Sequence, residues 1–164
     1  MSALPTLSLT TRRSNNKVKM MNECNTRLNQ APERQQDPAD DICTKISVSA
    51  KSTYLPEQSL PQEQTYAFSY TITITNNSEQ AVRLLTRSWL ITDANGETST
   101  VEGEGVVGQT PDILPGASFS YTSGSVFETP LGTMQGYYQL QNPQGESLRA
   151  EIPVFRLAVP NILN

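Results

Sequence analysis

The first informative feature of this 164-residue chain is an absence, because it contains no histidine. Catalytic sites of the Ser-His-Asp or Cys-His kind are therefore excluded, and so are zinc sites with imidazole ligands. The two cysteines, Cys24 and Cys43, are too few to build a zinc site from cysteine alone. We predict a protein that binds a partner, with no catalytic residues and no cofactor.

A second absence is that of any long apolar run. No window approaches the ~18 consecutive apolar residues of a membrane span, and the N-terminus does not combine an apolar segment with a small-residue cleavage site. We predict a soluble cytoplasmic protein with reduced thiols and no membrane insertion. The first 22 residues are basic and contain no acid, which leaves a transit peptide as the alternative, although Pro5 and Asn15-Asn16 interrupt an amphipathic helix.

Positive charge is also scarce. The formal net charge is −4, and residues 42–164 carry six Lys/Arg against eleven Asp/Glu. Such a body has no field that would hold a phosphate backbone. We therefore expect a protein partner of unknown identity rather than nucleic acid.

The chain divides into two parts by composition. Residues 1–41 contain polar runs such as 29–36 and 37–41 with no apolar period, and such a segment cannot bury enough apolar surface to offset its ordering entropy. We predict a disordered N-terminal extension over 1–41 and one domain over 42–164, which is an ordinary length for a single hydrophobic core.

Within that domain the apolar residues recur with period two. From Tyr66 to Thr75 every even position is large and apolar, while the odd positions are Ala, Ser or Thr. This alternation predicts a half-buried antiparallel strand. A weaker copy surrounds Ile46, Val48 and Ala50.

Further strands follow, separated by turn signals. The parity changes at Leu84-Leu85, which predicts a strand that is either buried on both faces or bulged there. Asn95-Gly96 predicts a hairpin turn, because both residues tolerate positive φ. Pro153 predicts that the last strand is an edge or is bulged. About seven strands and no helix indicate an all-β sandwich. Because both cysteines precede Trp89, the fibronectin-type-III-like version of the immunoglobulin sandwich is favoured, with Trp89 in the core.

Residues 103–108 match the pattern G-x-G-x-x-G. In a dinucleotide-binding fold this pattern follows a strand and opens a helix, but here Gln109-Thr-Pro-Asp112 follows. The glycines are better explained by a long loop between strands. A pyrophosphate- or nucleotide-binding protein that uses this loop stays open as an alternative.

Two segments are candidates for contact with a partner. Apolar residues between the glycines, Val106 and Val107, either pack back on the sandwich or present a small apolar surface, and Leu131 and Met134 allow the same two interpretations. The candidate contact residues are Gly103, Glu104, Gly105, Val106, Val107, Gly108, Thr129, Pro130, Leu131, Gly132 and Met134.

Direct binding of a divalent cation is the other alternative. Glu102 and Glu104 are two residues apart, so in a strand they project from one face about 7 Å apart. Two carboxylates of this kind can serve as an acid/base pair or as ligands of a hard cation. A solvated acidic loop is the simpler explanation and is favoured, and Asp112 and Glu128 are further carboxylates that the fold would have to bring near.

Several ordered motifs resemble one family. Residues 102–108 with Pro115-Gly116, the segment 129–136 and the terminal Ile152-Pro-Val-Phe-Arg-Leu-Ala-Val-Pro160 are similar to the ApaG family, also called CorD. The resemblance implies a fibronectin-type-III-like sandwich that mediates protein contacts. It also implies a genetic link to cobalt resistance and magnesium efflux, in which Co²⁺ and Mg²⁺ are indirect partners. Separately from the resemblance, we predict a monomer or weak homodimer.

Two departures from the family pattern limit what carries over. The polar segment before Ile42 is not part of the family domain, and many members carry a histidine where this chain has Gln135-Gly-Tyr-Tyr138. A metal role that depends on that imidazole does not transfer. The family has no established catalytic residues, so none is assigned.

Overall fold

A computed structural model describes residues 45–162 as a sandwich of two antiparallel sheets. Its strands are β1 (Ile46–Tyr54), β2 (Tyr66–Asn76), β3 (Val82–Asp93), β4 (Thr98–Glu104), β5 (Asp112–Ile113), β6 (Ser118–Phe127), β7 (Leu131–Gln141) and β8 (Ser147–Ala158). Two single 3₁₀ turns, Pro56–Gln58 and Pro61–Glu63, connect β1 to β2. The predicted all-β sandwich is confirmed, with eight strands rather than about seven because β5 has only two residues.

The two sheets differ in width. The small sheet has the order β1-β2-β6, and the large sheet has the order β4-β3-β7-β8, with β5 pairing the first residues of β3. No helix within residues 45–162 is long and apolar enough to cross a membrane. The predicted extension 1–41, its boundary at residue 42 and both cysteines lie outside the described residues.

The core forms where the inner faces of the sheets meet. Phe68, Tyr70, Ile72 and Ile74 of β2 are buried as the alternation predicts, and Trp89 of β3 is 3% exposed. The Trp89 ring packs edge-on against Tyr70 of the opposite sheet, with ring centroids 5.8 Å apart. Aromatic pairs in this geometry stabilise a core beyond their area burial alone.

The predicted irregularities are present with one difference. The register of β3 shifts between Leu84 and Thr86, and β8 is both an edge strand and irregular near Pro153. The hairpin between β3 and β4 also forms, but Gly96 has positive φ while Asn95 does not. The reason is a wider turn, in which Asp93 N–H donates to the Glu97 carbonyl and Gly96 N–H donates to the Asp93 carbonyl.

Candidate functional site

The glycine-bearing segment after β4 is a narrow hairpin. Val106 and Gln109 exchange two backbone hydrogen bonds of 2.8 and 2.9 Å, which leaves Val107 and Gly108 as a two-residue turn. Their φ angles are 44° and 77°. Positive φ at both central residues defines a type I′ turn, whose twist matches that of paired strands.

The two valines of this hairpin have opposite environments. Val106 is fully buried in the core, whereas Val107 at the turn is 48% exposed. Of the two interpretations that the sequence leaves open, Val106 packs back on the sandwich and Val107 is presented to solvent. The side chain of Val106 is therefore not available to a partner, because it anchors the hairpin instead.

Arg87 of β3 fixes the base of the hairpin. One of its guanidinium nitrogens donates to the carbonyls of Glu104 and Gly105 at 2.9 and 2.6 Å, and Gly105 N–H donates to the Leu85 carbonyl at 2.7 Å. The turn is thus held rigidly at its stem. Arg87 was not predicted as part of this site. Its position two residues before the buried Trp89 places it on the inward-facing side of β3, and a cation there indicates a specific polar partner.

The three glycines of the pattern have separate structural reasons. A Cβ at Gly103 would lie 2.9 Å from the Arg87 guanidinium, and a Cβ at Gly105 would lie 2.2 Å from the Gln109 carbonyl oxygen. Gly108 occupies the second turn position with positive φ. The residues after Gly108 lead to strand β5 and not to a helix, so the nucleotide alternative lacks the helix N-terminus on which it depends.

A shallow groove runs beside Arg87. It is lined by Thr86, Arg87, Ser88, Glu102, Gly103 and Tyr137. The Arg87 guanidinium already has two carbonyl partners. The Arg149 guanidinium covers the Tyr137 ring at 3.7 Å. These contacts describe a polar surface that is satisfied by the protein itself.

The second predicted segment is largely structural. Met134 is 2% exposed and Thr129 is 8% exposed. The Thr129 hydroxyl accepts from Ala94 N–H and donates to the Leu131 carbonyl. A Cβ at Gly132 would overlap the Phe127 ring. Of its two interpretations, Met134 packs into the core, so its prediction as a contact residue is wrong. Among the candidate contact residues of this segment, Pro130 and Leu131 are partly exposed.

The structure does not bring the two predicted segments together. Glu104 pairs with Thr86 at one end of β3, while Gly132 pairs with Asp93 at the other end. Seven residues of strand separate these positions, or roughly 23 Å. A single contact surface made from both segments is thus contradicted, because they extend from opposite ends of the large sheet.

The candidate cation ligands are exposed and separate. Glu102 and Glu104 pair with Ser88 and Thr86 of β3 and share one face of β4, as the sequence predicts. Asp112 instead forms a two-bond ion pair with Arg83, at 2.7 and 2.8 Å, which lowers the Asp112 pKa. Among residues 45–162 no three His, Cys, Asp or Glu side chains lie close enough together to hold a metal ion.

One polar cluster in the core was not predicted. The hydroxyls of Tyr121 and Tyr138 hydrogen-bond to each other between the sheets. Burial raises the pKa of both phenols, and burial also raises the pKa of Tyr70, partly offset by a hydrogen bond with Ser123. Neutral phenols that are paired in this way can fix how the sheets face one another.

Comparison with known proteins decides the family. The model of the ApaG domain matches residues 56–142, a span that includes the hairpin at 103–108. This chain belongs to the ApaG domain family. The match extends over almost the whole length of individual ApaG proteins.

Two curated relatives and two crystal structures illustrate the match. Protein ApaG of Proteus mirabilis is 51% identical over 121 residues, which are 74% of this chain and 97% of that protein. Protein ApaG of Shewanella sediminis is 56% identical over 119 residues, which are 73% of this chain and 94% of that protein. A structural-genomics target has a TM-score of 0.72 at 50% identity, covering 75% of this chain and 93% of its own. An ApaA protein of Bordetella pertussis has a TM-score of 0.69 at 42% identity, and the match covers 71% of this chain and 94% of that protein.

Proposed function

We propose that this ApaG-family protein is a non-catalytic, cytoplasmic interaction module that binds a protein partner through the turn at Val107. The observation that carries the proposal is the conformation of this residue. A β-branched side chain at φ of 44° is unusual, and this one is 48% exposed at the end of a hairpin whose stem is fixed by Arg87.

A type I′ turn favours residues that adopt positive φ without strain. A non-glycine residue in the left-handed region is strained by about 1 to 3 kcal/mol, and Asn-Gly satisfies a type I′ turn without that strain. Folding therefore gives no reason for valine at position 107. A rigidly presented apolar side chain does give a reason, since preorganisation lowers the entropy lost on binding.

We further propose that any role of this protein in cobalt or magnesium homeostasis runs through the bound partner. Support comes from the arrangement of carboxylates, because Glu102 and Glu104 lie along an exposed strand with Ser88 as the polar neighbour. Hard cations prefer six or more oxygen ligands. Calorimetry with Mg²⁺ and Co²⁺ tests this point: heat of binding that disappears on Glu102→Gln would overturn it.

The main test uses Val107→Asn, which removes the apolar side chain while creating the favoured Asn-Gly turn. Val154→Asn is the matched control, because Val154 is an exposed valine of β8, 62% exposed. Each full-length variant is immobilised, and captured proteins are quantified by mass spectrometry against wild type.

We expect specific partners to be lost with Val107→Asn by about tenfold or more and to be retained with Val154→Asn. Thermal unfolding of both variants verifies that the fold persists. Equal capture by Val107→Asn and wild type would show that the turn is not the contact surface.

A further inference from the structure

Each sheet of the sandwich ends in two edge strands, and exposed edges are sites where another chain can add a strand. Proteins block such edges with charges, proline, bulges or a covering segment. The edges of the described structure are β1 and β6 in the small sheet, and β4 and β8 in the large sheet.

Three of these edges are blocked. Strand β8 contains Pro153 and a register irregularity, and β1 lies against it, with the Ser52 hydroxyl donating to the Arg156 carbonyl at 2.6 Å. Strand β4 carries the exposed carboxylates of Glu102 and Glu104. Each of these features disfavours the addition of a further strand.

Strand β6 is different. Its ten residues, SFSYTSGSVF, include no charge and no proline, and ten consecutive residues pair with β2 without a register shift. Among residues 45–162 no strand pairs with the second side of β6. Its free side is therefore an unblocked edge.

The side-chain pairs show which backbone groups are free on that side. The hydroxyls of Thr71 and Thr122 hydrogen-bond at 2.7 Å, and the two pairs that follow along the strands do so at 2.8 Å. Such contact is typical of non-hydrogen-bonded pairs, in which side chains are closest. The backbone N–H and C=O groups of these β6 residues therefore point away from β2. By the same alternation the outward-pointing, exposed residues are Ser118, Ser120, Thr122, Gly124 and Val126.

The surface beside this edge is nearly free of charge. The outer face of the small sheet is covered with Ser and Thr hydroxyls, and Lys51 of β1 is the charged residue that shares it. This contrasts with a chain whose formal net charge is −4. Two copies of an acidic protein repel each other less when the surfaces beside the meeting edges carry few charges.

We propose that two copies of this chain pair through β6, antiparallel about a two-fold axis at Thr122. Thr122 then faces its own copy, Ser120 faces Gly124, and Ser118 faces Val126. Every outward N–H finds a carbonyl, for about ten hydrogen bonds between the strands. The two small sheets become one continuous sheet of six strands, and an isologous contact of this kind is the commonest form of homodimer.

A second copy fits this edge better than a charged peptide does. In a symmetric pair each residue must tolerate its own kind or a near neighbour opposite, and a strand without charge has no like-charge pair in any register. The outward-facing Val126, 62% exposed, is covered in the pair as well.

The test places a charge on the proposed axis. Thr122→Lys and Thr122→Glu each set like charges opposite one another, so each variant should raise the dimer dissociation constant by about tenfold or more. An equimolar mixture of the two variants should restore association, because opposite charges then face each other. Sedimentation of the full-length protein over a concentration series measures all three samples.

Thr71→Lys is the matched control. It breaks the same hydroxyl pair with Thr122 and adds the same charge, but it lies on the central strand β2, one strand away from the axis. We expect it to dimerise as wild type does, and circular dichroism verifies the fold of every variant. In the wild-type dimer, amide exchange should slow at Ser120, Thr122 and Gly124 as concentration rises.

Three results would overturn the proposal. These are a wild-type protein that stays monomeric to about 1 mM, a mixture of Thr122→Lys and Thr122→Glu that fails to associate, or equal weakening by Thr71→Lys. Protection of these amides only on addition of an unrelated extended peptide would assign the edge to that class of partner instead.

Discussion

The hydroxyl groups of Tyr121 and Tyr138 hydrogen-bond to each other across the interior, joining β6 of the small sheet to β7 of the large sheet. Tyr138 is fully buried and Tyr121 is 7% exposed. This contact is a direct polar link between the two layers of the sandwich. Its removal tests how much of the stability depends on satisfied polar groups in the core.

Replacement of both tyrosines of this pair should destabilise the fold by less than the sum of the two single replacements. Tyr138→Phe leaves the Tyr121 hydroxyl buried without this partner, and such a loss costs about 1 to 3 kcal/mol. Tyr121→Phe should behave alike, while the double variant should lose less than the sum of the single losses. Urea unfolding of the four proteins gives the coupling free energy, and strictly additive losses would contradict a specific bond.

Stability should also fall at alkaline pH. Burial raises the pKa of Tyr70, Tyr121 and Tyr138 in the folded state, whereas the unfolded chain releases these protons near pH 10. The contribution of these protonated phenols to the free energy of unfolding is present in full below about pH 10. It is lost as the pH rises further, by up to about 1.4 kcal/mol per pH unit for each phenol.

Urea unfolding of the wild type and of Tyr121→Phe between pH 8 and 11 measures this loss. The variant has one fewer buried phenol, so its free energy of unfolding should fall less steeply with pH. Identical slopes for the two proteins would argue against a raised pKa at Tyr121.

The two valines of the hairpin should respond in opposite directions. Val107→Asn relieves the left-handed strain and should raise the free energy of unfolding by about 1 kcal/mol. Val106→Ala removes two buried methyl groups and should lower it by about 2 kcal/mol. Calorimetric melting of both variants checks the signs, and a loss of stability with Val107→Asn would contradict the type I′ assignment.

Gly136 should not tolerate a side chain. A Cβ at this position would lie 1.9 Å from the Ser88 carbonyl oxygen of the paired strand β3, so the backbone of one strand must move. Gly136→Ala should destabilise the fold by about 1 to 3 kcal/mol, whereas Gln135→Ala at the exposed neighbouring position should change stability by less than about 0.5 kcal/mol. Chemical unfolding of both variants tests the difference.

The candidate site was predictable only in part. The pattern of 103–108 places two adjacent valines between glycines, and it identifies the segment without deciding which valine faces the core. That choice depends on the hairpin register. The Arg87 guanidinium and the Leu85 carbonyl, both of β3, fix this register through hydrogen bonds to the hairpin backbone. Met134 was misplaced for a related reason, because apolar residues beside a turn look alike whether they face a second sheet or solvent.

By itself the sequence determined the all-β class, the inward-facing residues of β2, the burial of Trp89 and the family resemblance, and it indicated irregular strands near Leu84 and Pro153. These follow from local alternation, turn chemistry and ordered motifs, which neighbouring residues carry. Only the tertiary structure decided that the two predicted contact segments lie at opposite ends of β3, that Tyr121 meets Tyr138, and that no other strand within residues 45–162 pairs with the second side of β6. Strand pairing joins residues far apart in the chain, and their distances are set by the order of strands, which no local pattern records.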